Sequence, residues 1–180
     1  MAEGREAALA ELIARHGRGL TLFATRFLGD PALADEVAQD TFLRAWREAA
    51  RYDPARGAAT TWLYRIAANL CRDRLRRARL RRMLWRGPRA EDLSEVLADP
   101  APGAAATLEG RQRLAATRQA LARLPERQRL AILLTVVAGM DNAEAAAIMA
   151  TSRGSVEQLL IRARRALRAG LLEGSDDDGG

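Results

Sequence analysis

The chain has 180 residues, with 29 arginines and no lysine against 23 acidic residues, for a net charge of +6. Its 38 alanines, set against 14 glycines and six prolines, favour helices and exclude a collagen-like chain or a mostly-β domain, because Ala and Arg lose little freedom in a helix. With Cys71 and His16 each single of their kind, no disulfide framework and no zinc or haem site is expected. No window of about 20 residues lacks charge, so no membrane-spanning helix is expected. Met1 to Glu11 carries three acids and no apolar run, so no secretory signal is expected and the chain reads as cytoplasmic.

In chain order, Leu9, Leu12, Ile13, His16, Leu20, Phe23 and Phe27 recur at three- and four-residue steps and predict a first helix, with Gly17 and Gly19 in its middle. His16 sits on this apolar stripe and reads as a half-buried structural residue. Gly29-Asp30-Pro31 ends the segment and starts the next, with Asp30 as cap and Pro31 in the first turn. The second helix buries Ala34, Val37, Ala38, Thr41, Phe42, Ala45 and Trp46. Its other face offers Asp35, Glu36, Gln39 and Asp40, placed where a helix start favours negative charge.

A turn-rich loop through Tyr52-Asp53-Pro54 and Gly57 leads to a third helix. Leu63, Ile66, Ala67, Leu70 and Cys71 form its inner stripe. From Arg72 to Arg82 seven arginines (72, 74, 76, 77, 79, 81 and 82) stand with Asp73 alone opposing. Their mutual repulsion is relieved by a polyanion, which points to phosphate contacts; membrane surfaces and acidic proteins suit such a run as well.

Charge then reverses. Residues 1–89 hold 18 Arg and 10 acids, 90–110 hold five acids and no Arg, and 111–173 hold 11 Arg and five acids. Gly87, Pro88, Pro100, Pro102 and Gly103 punctuate the acidic stretch, which reads as a linker because structureless loops beyond about 15 residues are uncommon within a compact domain. All eight aromatic residues precede it.

Four short helices follow. Leu114, Leu121 and Leu124 precede Pro125; Leu130, Ile132, Leu133, Leu134, Val136 and Val137 make a hydrophobic helix ending at Gly139; Asp141 or Asn142 caps a short third; the last runs from about Gly154 to Leu171, with Val156, Leu160, Ala163 and Leu167 facing in. A short helix, a tight turn and a longer helix form the layout of a helix-turn-helix. Its second helix would present Ser152, Arg153, Ser155, Glu157 and Gln158 to base edges and phosphates, with Arg162, Arg164, Arg165 and Arg168 adding charge further on.

These residues carry a resemblance. Ala34 to Trp46, with Trp62 to Asn69 and Asp73, and then Leu124 to Arg129, Asn142 to Ala146, Val156 and Arg162 to Arg164, resemble the small bacterial RNA polymerase sigma factors of the extracytoplasmic-function (ECF) group. The resemblance runs from about Ala8 to Leu171. It implies an all-α chain: two small helical domains joined by a flexible linker, the C-terminal one a helix-turn-helix. The expected boundaries are 1–86 for core polymerase binding and minus-10 recognition, 87–110 for the acidic linker, 111–173 for minus-35 recognition and 174–180 for a disordered acidic tail.

By the same resemblance, Glu36, Gln39 and Asp40 would grip the clamp of the polymerase's largest subunit. The loop from Arg51 to Thr61, including Tyr52, would hold a flipped minus-10 base, with Asn69, Arg72, Arg76, Arg77 and Arg79 near the DNA backbone. The second domain would dock on the β flap and read the minus-35 element through Ser152, Arg153, Ser155, Glu157, Gln158, Arg162 and Arg165. An anti-sigma protein is the implied inhibitor. No cofactor, metal or catalytic residue is implied, since the polymerase supplies the chemistry.

The chain departs from the family pattern at Ala59, where an aromatic is common, at Ala68, where arginine is frequent, and at Glu157-Gln158-Leu159. The last removes phosphate contacts and leaves Leu159 or Ile161 exposed unless a partner helix, from the anti-sigma protein or the flap, covers it. Two other readings fit parts of the chain: a stand-alone helix-turn-helix regulator, which leaves the acidic face without a task, and an Arg-rich adaptor for acidic proteins. An enzyme is not expected, for want of a phosphate-binding glycine loop or a nucleophile with a base.

Overall fold

The glycine pair that interrupts the apolar rhythm of the first segment does not interrupt the helix. The chain is a computed structural model describing residues 2–53, 55, 57–84 and 108–176. Within these, α1 runs unbroken over Ala2–Leu28, followed by α2 (Pro31–Glu48), a 3-10 turn (Ala49–Arg51), α3 (Ala59–Leu84), α4 (Leu108–Arg123), α5 (Glu126–Val136), α6 (Asn142–Met149) and α7 (Arg153–Asp176). Every regular element among the described residues is helical, and the chain divides into two compact units, 1–97 and 98–180.

In the first unit α1, α2 and α3 pack on one another. Leu20, Phe23, Ala24 and Phe27 of α1 are fully buried against Ala34 and Val37 of α2 and Leu63, Tyr64 and Cys71 of α3. Phe23 meets Tyr64 edge to face, centroids 5.3 Å apart at 86°, and lies 6.1 Å from Phe27, geometries in which the positive edge of one ring meets the negative face of another or rings stack offset. Gly19 has a steric reason: a Cβ there would lie 2.8 Å from the Tyr64 hydroxyl oxygen. Asp30 caps α2, its side chain accepting from Leu33 N–H at 3.1 Å, with Pro31 in the first turn, as the sequence indicates.

Some apolar residues sit differently from their sequence pattern. Ile13 is 44% exposed and Trp46 only half-buried; Ile13 lies at the margin of the α1 stripe, about 100° round from Leu12. In the second unit Val136 is 66% exposed although it ends a hydrophobic run. Five successive α5 residues, Leu130 to Leu134, already fill the interior. A helix buried on most sides shows no periodicity that tells its last outward residue from the rest.

The second unit is built around α7, which packs on α4, α5 and α6. Its core is Leu121, Leu124, Leu130 to Leu134, Met140, Ile148, Met149, Val156, Leu160 and Ala163, without an aromatic ring. Gly139, at φ +67°, stops α5. Asp141, rather than Asn142, caps α6 in a reciprocal capping box: its carboxylate accepts from Glu144 N–H at 2.8 Å while Glu144 accepts from Asp141 N–H at 3.0 Å.

The expected boundaries shift at both ends of this unit. Helix α4 starts at Leu108, inside the stretch assigned to the linker, and the α7 backbone continues through Asp176, three residues into the expected tail. Once a helix is nucleated each added residue gains a hydrogen bond, and no proline stands in the way. The rest of the expected linker, 87–107, and the end of the tail, 177–180, lie outside the described residues.

Candidate nucleic-acid and protein interfaces

The α2 face opposite the core presents Asp35, Glu36 and Gln39 exposed and Asp40 half-buried. This face has no cation among its own residues 35–40. The fold supplies one: Arg74 of α3 donates through Nη1 to Glu36 Oε2 and through Nη2 to Asp40 Oδ2, the latter at 2.9 Å. Asp73 is therefore not the sole acid opposing the arginine run. The hydrogen bond to Glu36, and after it that to Asp40, raises the Arg74 pKa, against the opposing effect of burial. The signal was present in the spacing, since Arg74 stands four, three and seven residues after Leu70, Cys71 and Ala67 and so extends the buried stripe.

The remaining arginines divide by face. Asn69, Arg72, Arg76 and Arg79 are all exposed and, at steps of three and four residues, form one stripe that also includes Arg65, a residue outside the expected DNA contacts. From Arg65 to Arg79 it is about 21 Å long. Arg77, expected among the same contacts, is exposed but lies about 100° round the helix from Arg76. Arg76 also pairs with Asp73 at 3.0 Å.

The loop before α3 is held by its aromatic residue. Tyr52 donates its hydroxyl to the Gly57 carbonyl at 3.2 Å and its ring lies 5.1 Å from that of Trp62. Both rings border an apolar recess of about 150 Å³, lined also by Leu9, Leu12, Trp46 and Ala59. The alanine found where an aromatic is common thus stands at the rim of an open space. Arg56 and Pro54 of this loop lie outside the described residues.

In the second unit, Ala150 ends α6 in the left-handed region, φ 49° and ψ 54°, with its own N–H and that of Thr151 donating to the Ala146 carbonyl. Ser152 then caps α7: its hydroxyl accepts from Ser155 N–H at 3.1 Å and lies 2.8 Å from the Ser155 hydroxyl. Arg153 pairs with Glu157 at 3.0 Å. Of the residues expected to face DNA, Arg153, Ser155, Gln158, Arg162 and Arg165 are exposed. Ser152 is exposed but engaged as a cap, and Glu157 is half-buried and ion-paired. Leu159 is half-buried, whereas Ile161 is 57% exposed beside these arginines.

Other chemistries find little support. Cys71 is buried, and burial pushes its thiol up to about 12, favouring the protonated form over the thiolate that acts as nucleophile or metal ligand. His16 is half-buried, its pKa lowered by burial and then by Arg15. Among the described residues no group of three or more His, Cys, Asp or Glu is placed to hold a metal ion, and no helix is long and apolar enough to cross a membrane.

An acidic helix face, an arginine stripe and a separate helix-turn-helix in that order are matched by known proteins. The sigma-70 region 2 family matches residues 12–81 and the sigma-70 region 4 family matches residues 114–167. The chain belongs to the ECF sigma factors. It is 36% identical over 170 residues, 93% of this chain and 88% of the relative, to the RNA polymerase sigma factor CnrH of Cupriavidus metallidurans. It is also 36% identical over 174 residues to the RNA polymerase sigma factor NccH of Alcaligenes xylosoxydans xylosoxydans, covering 97% of this chain and 91% of that one. The structure of CnrH in complex with the cytosolic domain of CnrY matches at 33% identity and TM-score 0.66, covering 96% of this chain and 92% of that one. A sigma factor RpoE from Bartonella quintana, solved with the anti-sigma factor NepR, matches at 25% identity and TM-score 0.74, covering 91% and 95%. This sigma factor acts with core RNA polymerase to direct promoter recognition and transcription initiation, as its family does.

Proposed function

We propose that the first unit of this sigma factor joins the core enzyme and opens the minus-10 element, while the second reads the minus-35 element. Glu36, Gln39 and Asp40 contact the clamp of the polymerase's largest subunit. The stripe of Asn69, Arg72, Arg76 and Arg79, extended by Arg65, lies along the minus-10 phosphates, with Arg77 outside it adding positive charge nearby. Tyr52 steadies the loop that receives a displaced base. The adjacent recess, lined by three aromatic residues, suits the flat face of a base, for which stacking contributes about 1–3 kcal/mol. In the second unit Arg153, Ser155, Gln158, Arg162 and Arg165 meet the major groove, while Ser152 and Glu157 support them as cap and ion-pair partner. The unit docks on the β flap.

The observation that carries this reading is the exposed Asn69–Arg79 stripe on one side of α3, with the carboxylates of α2 gathered by Arg74 on the other. One helix thus separates a DNA-facing side from a protein-facing side. The chain supplies no catalytic group of its own and works in the cytoplasm, where the polymerase is.

An anti-sigma protein controls it. CnrH was solved with the cytosolic domain of CnrY and the Bartonella RpoE with the anti-sigma factor NepR, and the exposed Ile161 offers an apolar edge for such a partner's helix. Run-off transcription with purified core polymerase on genomic fragments tests the whole reading. Defined starts that require both this chain and core are expected. Tight, specific duplex binding by the chain alone, with no stimulated transcription, would point instead to a stand-alone regulator.

A further inference from the structure

Two carboxylates one turn apart on a helix repel each other and, when exposed, sample several rotamers. Glu36 and Asp40 are such a pair, with side chains 56% and 43% exposed, but both are held by the one guanidinium of Arg74, whose side chain is only 24% exposed. Arg74 uses a different nitrogen for each partner, Nη1 for Glu36 and Nη2 for Asp40. Because the guanidinium is planar and rigid, fixing both nitrogens fixes the two carboxylates relative to each other. It engages Oε2 of the one and Oδ2 of the other, so each carboxylate keeps a second oxygen with lone pairs for an outside donor. The Arg74 stem is itself anchored, because it continues the stripe that buries Ala67, Leu70 and Cys71.

We propose that Arg74 is a positioning residue for polymerase binding: it presents Glu36 and Asp40 as one pre-organised pair of acceptors to donors on the core enzyme. This rests on the reading of Glu36, Gln39 and Asp40 as the polymerase-binding face. Plain Coulomb attraction makes the opposite forecast, since taking a cation out of an acidic face strengthens its pull on a basic partner. The two accounts differ in sign.

The test is titration of core RNA polymerase with the full-length chain and its E36Q, D40N, R74Q, R74K and R74Q/E36Q variants at several salt concentrations. E36Q and D40N are expected to weaken binding. R74Q is expected to weaken it by about five- to tenfold although it makes the face more negative. In the R74Q background E36Q is expected to cost clearly less than in the parent chain, a coupling that a smaller folded fraction would not produce. R74K recovers only part of the affinity, because an ammonium cannot orient two carboxylates in one plane. Equal or tighter binding by R74Q, or strictly additive effects in the double variant, overturns the positioning role while leaving the face in place. If E36Q and D40N bind core as well as the parent chain, the face itself is misread and the proposal falls with it.

Discussion

Gly19 and Tyr64 show how a single missing methyl group sets a packing arrangement. A Cβ at position 19 would stand 2.8 Å from the Tyr64 oxygen, and the ring carrying that oxygen is buried and pinned edge-on to Phe23. Gly19→Ala gains about 1 kcal/mol of helix propensity but overpacks a filled site at a cost of about 1–3 kcal/mol. A net loss of about 1 kcal/mol is expected in urea denaturation. Tyr64→Phe in the same chain removes the obstructing atom, so the double variant should be at least as stable as Tyr64→Phe alone. Cys71 makes a second residue-level case. Burial penalises the thiolate and pushes the Cys71 thiol up to about 12, well above the ordinary value for a free cysteine. The folded chain therefore holds this proton more tightly than the unfolded one. The contribution is intact below pH 9 and is lost as pH rises from 9 towards 12, at up to about 1.4 kcal/mol per pH unit. Melting temperature measured from pH 8 to 11 should fall more steeply for the parent chain than for Cys71→Ala.

At the scale of the element, α3 is a helix with two employments. Its first half is core, and its second half leaves the core with arginines on several faces, so only register decides which of them meet a common partner. Arg72, Arg76 and Arg79 share a stripe that Arg77 does not. Replacing all three with Gln should lower affinity for promoter-type DNA in the presence of core and reduce the slope of log K against log[salt] by about 2–3. Arg77→Gln should lower that slope by less than Arg76→Gln does. The α6–α7 turn is the other element under constraint. Ala150 accepts a left-handed backbone that costs a residue with a Cβ about 1–2 kcal/mol, and the Ser152 cap and the α6 capping box are the compensations visible on either side. These local bonds set the angle at which α7 offers its exposed N-terminal residues.

At the scale of the whole molecule, the two units are made of different materials. All eight aromatic residues precede residue 87, and the second core is aliphatic. Tryptophan fluorescence therefore reports the first unit alone, whereas far-ultraviolet circular dichroism reports helix in both. For two units that fold separately, thermal transitions followed by these probes should not coincide; a single shared midpoint would mean that the units melt as one. The number and order of helices, the Asp30 cap, the breaks at Gly29 and Gly139 and the helix-turn-helix were legible in the sequence. Each follows from periods and caps that act within a few residues, and the family resemblance added the roles expected of the faces. The exposed ends Ile13 and Val136 were not legible, because a continuous apolar run carries no mark of where the interior is full. Nor was the engagement of Ser152 and Glu157, whose exposed-looking positions are taken up by residues of the first turns of α7.

Local pattern and composition by themselves determined an all-helical chain, an aromatic-rich first unit, an aliphatic second unit and an acidic stretch between two basic ones. Only tertiary structure decided that Arg74 belongs to Glu36 and Asp40, which lie 38 and 34 residues earlier, and that Gly19 is space reserved for Tyr64. The reason is physical. Helix propensity, capping and periodicity act over a turn or two of chain, whereas a guanidinium meets its carboxylates only after two helices have packed and brought them within hydrogen-bonding distance.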